Sequence, residues 1–74
     1  MTRLWMRLKM YLINYGREYS TVVDSFVKAL TFAIEAFKND WEVDIINIST
    51  DEIMVSLRDN KTPYFSNAIK EVFN

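Results

Sequence analysis

The sequence predicts a small α+β domain, a three-stranded sheet with two helices on one face, in the order β-α-β-β-α. Three observations predict it. Apolar and polar residues alternate almost without fault over Arg3–Tyr15, apolar residues recur with helical period over Val23–Phe37, and two short apolar runs, Trp41–Ser49 and Ile53–Arg58, are joined by a short turn through Thr50-Asp51. Both helices need a common face to hide their apolar stripes, because a single layer would leave one of them in water. The order resembles a split β-α-β unit that lacks its final strand.

Each element has its own warrant. In the first strand Leu4, Met6, Leu8, Met10 and Leu12 take one side and Arg3, Trp5, Arg7, Lys9, Tyr11 and Ile13 the other, an alternation that suits a half-buried strand; Leu4, Leu8, Tyr11 and Tyr15 also fit a helical face. Gly16, the single glycine, marks the exit turn. Ser20 or Thr21 caps a helix that runs to Lys38, with Thr21 and Asp24 approximating a capping box. Its core stripe is Val23, Phe26, Val27, Leu30, Ile34 and Phe37, with Ala33 at the edge. Asn39-Asp40 ends it. The next two runs form a hairpin, and the change of phase between Ile45 and Ile46 suggests a bulge or a strand covered on both sides. Thr62 then caps and Pro63 opens a last helix to Phe73, with Phe65, Ala68, Ile69 and Val72 inward.

Composition narrows the function. The chain has 74 residues and no linker, repeat or low-complexity tract, so residues 1–74 read as one domain. It contains no cysteine and no histidine, which removes disulfides, thiol nucleophiles, imidazole bases and the usual zinc sites. One glycine cannot make a phosphate-cradling loop. No catalytic residue, metal ligand set or cofactor site is assigned, and an enzyme is not expected. A domain this small, with no staple, gains from a homodimer or a tight partner. No apolar run is long enough to span a membrane, and the charges of Met1–Gly16 interrupt any signal-peptide plan, so a cytosolic protein is expected.

Nine basic residues against ten acidic ones leave a net charge of −1, which conceals a basic first quarter and an acidic middle. Asp40, Glu42 and Asp44 alternate, so a strand carries them on one face. Three carboxylates in that pattern suit a divalent cation, but no glycine turn accompanies them. A solvated strand face that discourages edge pairing is the simpler account. Arg3, Trp5, Arg7, Lys9 and Tyr11 interleave cations and rings as single-stranded nucleic-acid binders do, although cross-strand pairing of Arg7 or Lys9 with Glu42 or Asp44 is the simpler account. On the predicted helix Ser25, Ala29, Phe32 and Ala36 form a second, small-residue stripe. Packing against the last helix would cover it; otherwise Phe32 anchors a contact with a second copy.

Taken from MTRLWMRLKMYLINYG through DEIMVSLRDN, the chain resembles the small DNA sliding-clamp inhibitors of staphylococcal phages in length, composition and overall run of sequence. The resemblance implies a dimeric inhibitor in the cytoplasm of the bacterial host that occupies the clamp's DNA channel and stops replication. Peptides that enter a clamp's surface cleft usually carry a glutamine, and this chain has none. An occupant of the basic channel should instead present carboxylates. Asp40, Glu42, Asp44, Asp51, Glu52 and Asp59 are the candidates, with Trp41 as the apolar anchor and Ser25, Ala29, Phe32 and Ala36 as the dimer contact. Direct nucleic-acid binding and membrane association are not expected of such a protein. The rival expectation is a small single-stranded nucleic-acid-binding domain that uses the basic and aromatic face of the first strand.

Overall fold

The computed structural model describes residues 10–70. Five strands form one antiparallel sheet: β1 (Tyr11–Tyr15), β2 (Tyr19–Val23), β3 (Val43–Asn47), β4 (Glu52–Leu57) and β5 (Tyr64–Phe65), in the spatial order β2-β1-β3-β4-β5. One helix, α1 (Phe26–Lys38), connects β2 to β3. The α+β character expected of the sequence is present, but the three-stranded sheet with two helices is not.

The first correction concerns Tyr19–Val23. This stretch is a strand, paired to β1 from Tyr15↔Tyr19 to Tyr11↔Val23, where the sequence suggested a helix capped by Ser20 or Thr21. Tyr-Ser-Thr-Val-Val is aromatic and β-branched, which suits a pleated surface better than a helix. The true N-cap is Ser25, whose Oγ accepts from the Lys28 N–H at 3.0 Å. Lys28 Nζ also donates to Asp24 (2.9 Å), and this hydrogen bond holds the Asp24 carboxyl below its ordinary range.

The second correction concerns the C-terminal segment. Pro63 does not open a helix; Tyr64 and Phe65 pair with Ser56 and Val55 and add a fifth strand. A helical turn begins only at Ile69, after Ser66 Oγ has accepted from the Ala68 N–H (3.1 Å). Phe65 is exposed, whereas Ala68 and Ile69 pack against the core. Val72 and Phe73 lie outside the described residues.

The hairpin of β3 and β4 forms as the sequence suggests, and its register shifts between Ile45 and Ile46. Met54 is the additional residue in β4, and it is fully buried.

The core lies between α1 and one face of the sheet. Tyr11 and Ile13 of β1, Val43 and Ile45 of β3, and Val55 and Leu57 of β4 meet Phe26, Ala29 and Ala33 of the helix. The faces of β1 are therefore the reverse of those expected: Tyr11 and Ile13 are buried, while Met10, Leu12 and Asn14 lie on the other face. Burial pushes the Tyr11 phenol above its ordinary pKa, and its ring meets Phe26 edge-on at 5.5 Å. Across the face away from the helix, Val22, Leu12, Ile46 and Ile53 are successive cross-strand neighbours, a row of four aliphatic side chains.

The helix is rotated from the face its sequence suggests, not reversed. Phe26 and Ala33 of the expected stripe are buried and Val23 and Leu30 pack on the core, but the rest of that stripe is exposed. Ala29 and Ala33 are fully buried and Ala36 packs on the core, while Val27, Ile34 and Phe37 are exposed by 61%, 44% and 38%. Ala29, Phe32 and Ala36 of the supposed dimer stripe pack toward the core alongside Phe26 and Ala33. Phe26 fills the space against Tyr11 at the start of the helix, and further along, bulky side chains supplied by the strands leave room only for Ala29 and Ala33.

Candidate functional site

The helix end builds the site. Asn39 closes α1, and its side-chain Nδ2 donates to Glu35 O (2.9 Å). Asp40 then takes a left-handed conformation, φ 67°. Its N–H donates to Phe37 O (3.1 Å), and the Trp41 N–H donates to Ala36 O (3.0 Å). Those two bonds are a Schellman closure, with aspartate in the position that glycine usually occupies. The closure carries the indole of Trp41 back over the end of the sheet.

There it meets rings from two strands. Trp41 contacts Tyr15 at 5.7 Å and Tyr19 at 5.6 Å, both edge-on, while Tyr15 and Tyr19 stack at 5.6 Å. Phe32 abuts Tyr15 at 4.9 Å. Gly16, at φ 64°, lies directly under the indole. Trp41 is 38% exposed and so forms a ridge. On one side of it a cleft of about 350 Å³ is lined by Phe37, Asp40, Trp41, Glu42 and Asp59. On the other a second cleft, of about 260 Å³, is lined by Tyr15, Phe32, Glu35, Ala36, Asn39 and Trp41.

The six carboxylates expected to act together separate into groups. Asp40, Glu42 and Asp59 surround the first cleft. Asp44 is one alternation further along β3 and is neutralised: Arg58 Nη2 donates to its Oδ2 (2.7 Å) and Ser56 Oγ to its Oδ1 (2.8 Å). Arg58 Nη1 also reaches Glu42 Oε1 (3.3 Å), so this arginine is the cation that the alternation of Glu42 and Asp44 required. Asp51 and Glu52 stand at the far end of the β3–β4 hairpin. The length of β3, roughly 15 Å at about 3.3 Å per residue, lies between them and the cleft. Glu52 accepts a hydrogen bond there from Ser66 Oγ. Among the described residues no group of acids is placed to hold a metal ion, and Asp44 is taken up by Arg58.

The dimer stripe is placed elsewhere by the fold. Ala29 is buried, Ala36 packs on the core, Ser25 serves as N-cap and Phe32 belongs to the aromatic cluster. Of the basic and aromatic face of the first strand, Tyr11 is core and is not available for base stacking. Arg3, Trp5, Arg7 and Lys9 lie outside the described residues.

Sequence reasoning missed Tyr15, Tyr19 and Phe37 as members of the site. The signal for the first two was the pair of tyrosines bracketing Gly16-Arg17-Glu18, which reads as the closing pair of a hairpin. Among the described residues no helix is long and apolar enough to cross a membrane. No protein family matches the chain, and no curated protein or solved structure is significantly similar to it.

Proposed function

We propose that the chain is a non-catalytic binding protein that occupies the basic DNA channel of a bacterial sliding clamp, as a homodimer in the host cytoplasm, and so inhibits replication. The observation that carries this reading is the end of the sheet at Trp41. A half-exposed indole is held rigid by Tyr15, Tyr19 and Gly16, and Asp40, Glu42 and Asp59 stand beside it. A fixed aromatic anchor with a charged margin is the usual composition of a binding hot spot, and carboxylates are the margin that suits a channel lined with cations. The resemblance to phage clamp inhibitors supplies the identity of the partner.

Asp40 gives a test that separates binding from folding. Aspartate in the left-handed region is less stable than glycine, so Asp40→Gly should raise stability by up to about 1 kcal/mol. The same change removes a carboxylate from the cleft. Combined with Asp59→Asn, it should weaken binding to immobilised clamp at least tenfold, about 1.4 kcal/mol. Surface plasmon resonance with the parent and double variant decides the matter. Undiminished affinity in a stably folded double variant overturns the proposed contact.

A further inference from the structure

The hydrogen bonds of β1 determine which groups of β2 are left over. Gly16 N–H donates to Glu42 O (2.9 Å), and Met10 O accepts from Ile48 N–H (3.1 Å). Backbone groups point alternately to the two sides of a strand. Met10, Leu12, Asn14 and Gly16 therefore turn theirs toward β3, and Tyr11, Ile13 and Tyr15 toward β2. The register Tyr11↔Val23, Ile13↔Thr21 and Tyr15↔Tyr19 then commits the amides and carbonyls of Val23, Thr21 and Tyr19 to β1. Those of Ser20 and Val22 point outward. Among the described residues no strand lies on that side.

Exposed edges are ordinarily protected by proline, lysine, a bulge or extreme shortness. The opposite edge has such protection: β5 is two residues long and follows Pro63. β2 has none of these. It runs Tyr-Ser-Thr-Val-Val in unbroken register, and Tyr19 and Val22 are about half exposed.

We infer that β2 is a pairing edge for a second copy of this chain, joined antiparallel about a two-fold axis at Thr21. In that register Ser20 faces the second copy's Val22, and Val22 faces its Ser20. The two outward N–H and two outward C=O groups of each chain are then all satisfied, by four hydrogen bonds across the axis. Centring the axis on Ser20 or Val22 instead would bring Glu18 or Asp24, beyond the strand, into the ladder. A self-complementary edge favours a copy over a foreign strand, because an isologous contact needs the same patch on both sides. Thr21 meets Thr21 of the second copy and Tyr19 meets its Val23 on the helix side, and two five-stranded sheets become one. The inference deepens the homodimer of the proposed function by naming its interface from the geometry of β2; clamp binding by a parent chain that stays monomeric would overturn the pairing and leave the channel contact standing.

Among the described residues the Val22 N–H serves no bond, so Val22→Pro removes an intermolecular donor while leaving the β1–β2 ladder intact. In sedimentation experiments the parent chain should show a reversible monomer–dimer equilibrium. Val22→Pro should weaken it at least tenfold with an unchanged circular dichroism spectrum. A monomeric parent, or a dimer indifferent to Val22→Pro, overturns the inference. Should the proline variant fail to fold, amide exchange on the parent chain decides. Protection of Ser20 and Val22 that grows with protein concentration supports the edge pairing. No protection, or protection independent of concentration as an intrachain segment such as Met1–Lys9 would give, overturns it.

Discussion

Gly16 and Trp41 are 25 positions apart, yet the space of one determines the position of the other. A Cβ built on Gly16 would lie 2.6 Å from Trp41 Cζ3 and 2.7 Å from Cε3, closer than carbon atoms approach without displacement. The backbone there is also left-handed, at φ 64°, which an alanine adopts only with strain. Gly16→Ala should therefore destabilise the fold by about 2–3 kcal/mol, more than the roughly 1 kcal/mol of the dihedral cost alone. It should also shift the indole, and the tryptophan fluorescence of the folded variant is the readout. A loss of only 1 kcal/mol with unchanged emission would mean that Trp41 moves freely and is no rigid anchor. The turn at Gly16 was legible in the sequence, because a lone glycine after an alternating run has few other uses. Its second role was not, since nothing in local composition links it to Trp41. Arg58 was illegible for the same reason. The alternation of Glu42 and Asp44 called for a cation, but Arg7, Lys9 and Arg58 are chemically equivalent until the pairing of strands selects one.

At the scale of elements, the helix and the hairpin were readable and their surroundings were not. The period of Val23–Phe37 located α1 to within a few residues at its start and correctly at Lys38, yet the face was only partly right: Phe26 and Ala33 are buried as expected, whereas Val27, Ile34 and Phe37 are not. Two apolar stripes competed, and the larger residues looked like the core because burying them removes more surface from water. What decided otherwise was the sheet. Tyr11, Ile13, Tyr15 and Met54 bring large side chains to the interface, so the helix contributes Ala29 and Ala33 and approaches closely. Adjacent positions on α1 should then respond in opposite order to their size. Ala33→Leu has no room and should cost about 2–3 kcal/mol. Ile34→Ser, at a position 44% exposed, should cost less than about 1 kcal/mol. Chemical denaturation of the two variants checks the orientation directly, and a reversal of their ranking would restore the sequence-based face. β2 was misread by the same local reasoning. Ser20, Thr21 and Asp24 are good capping residues, but their capping capacity goes unused where Tyr19 and Val22-Val23 favour pairing with β1.

Across the whole molecule, charge sets what the surface attracts. Residues 10–70 hold Arg17, Lys28, Lys38, Arg58, Lys61 and Lys70 against nine carboxylates, a balance of −3. Arg3, Arg7 and Lys9 before this region and Glu71 after it bring the whole chain to −1. A field of that sign repels a phosphate backbone and draws the chain toward a basic surface, acting on encounter more than on the bound state. Tyr11, the ring that a nucleic-acid face on the first strand would have used, is buried against Phe26. Two measurements follow from one cause. Between about 50 and 500 mM salt, association with the clamp should slow at least tenfold while dissociation changes little, since screening shortens the reach of surface charges. At physiological ionic strength the protein should retain neither single-stranded nor duplex DNA appreciably. Micromolar DNA binding with a steep inverse salt dependence would instead assign the dominant surface to Arg3, Trp5, Arg7 and Lys9. A clamp association rate indifferent to salt would remove the carboxylates of Asp40, Glu42 and Asp59 from the recognition step and leave Trp41 and its neighbouring rings to carry it.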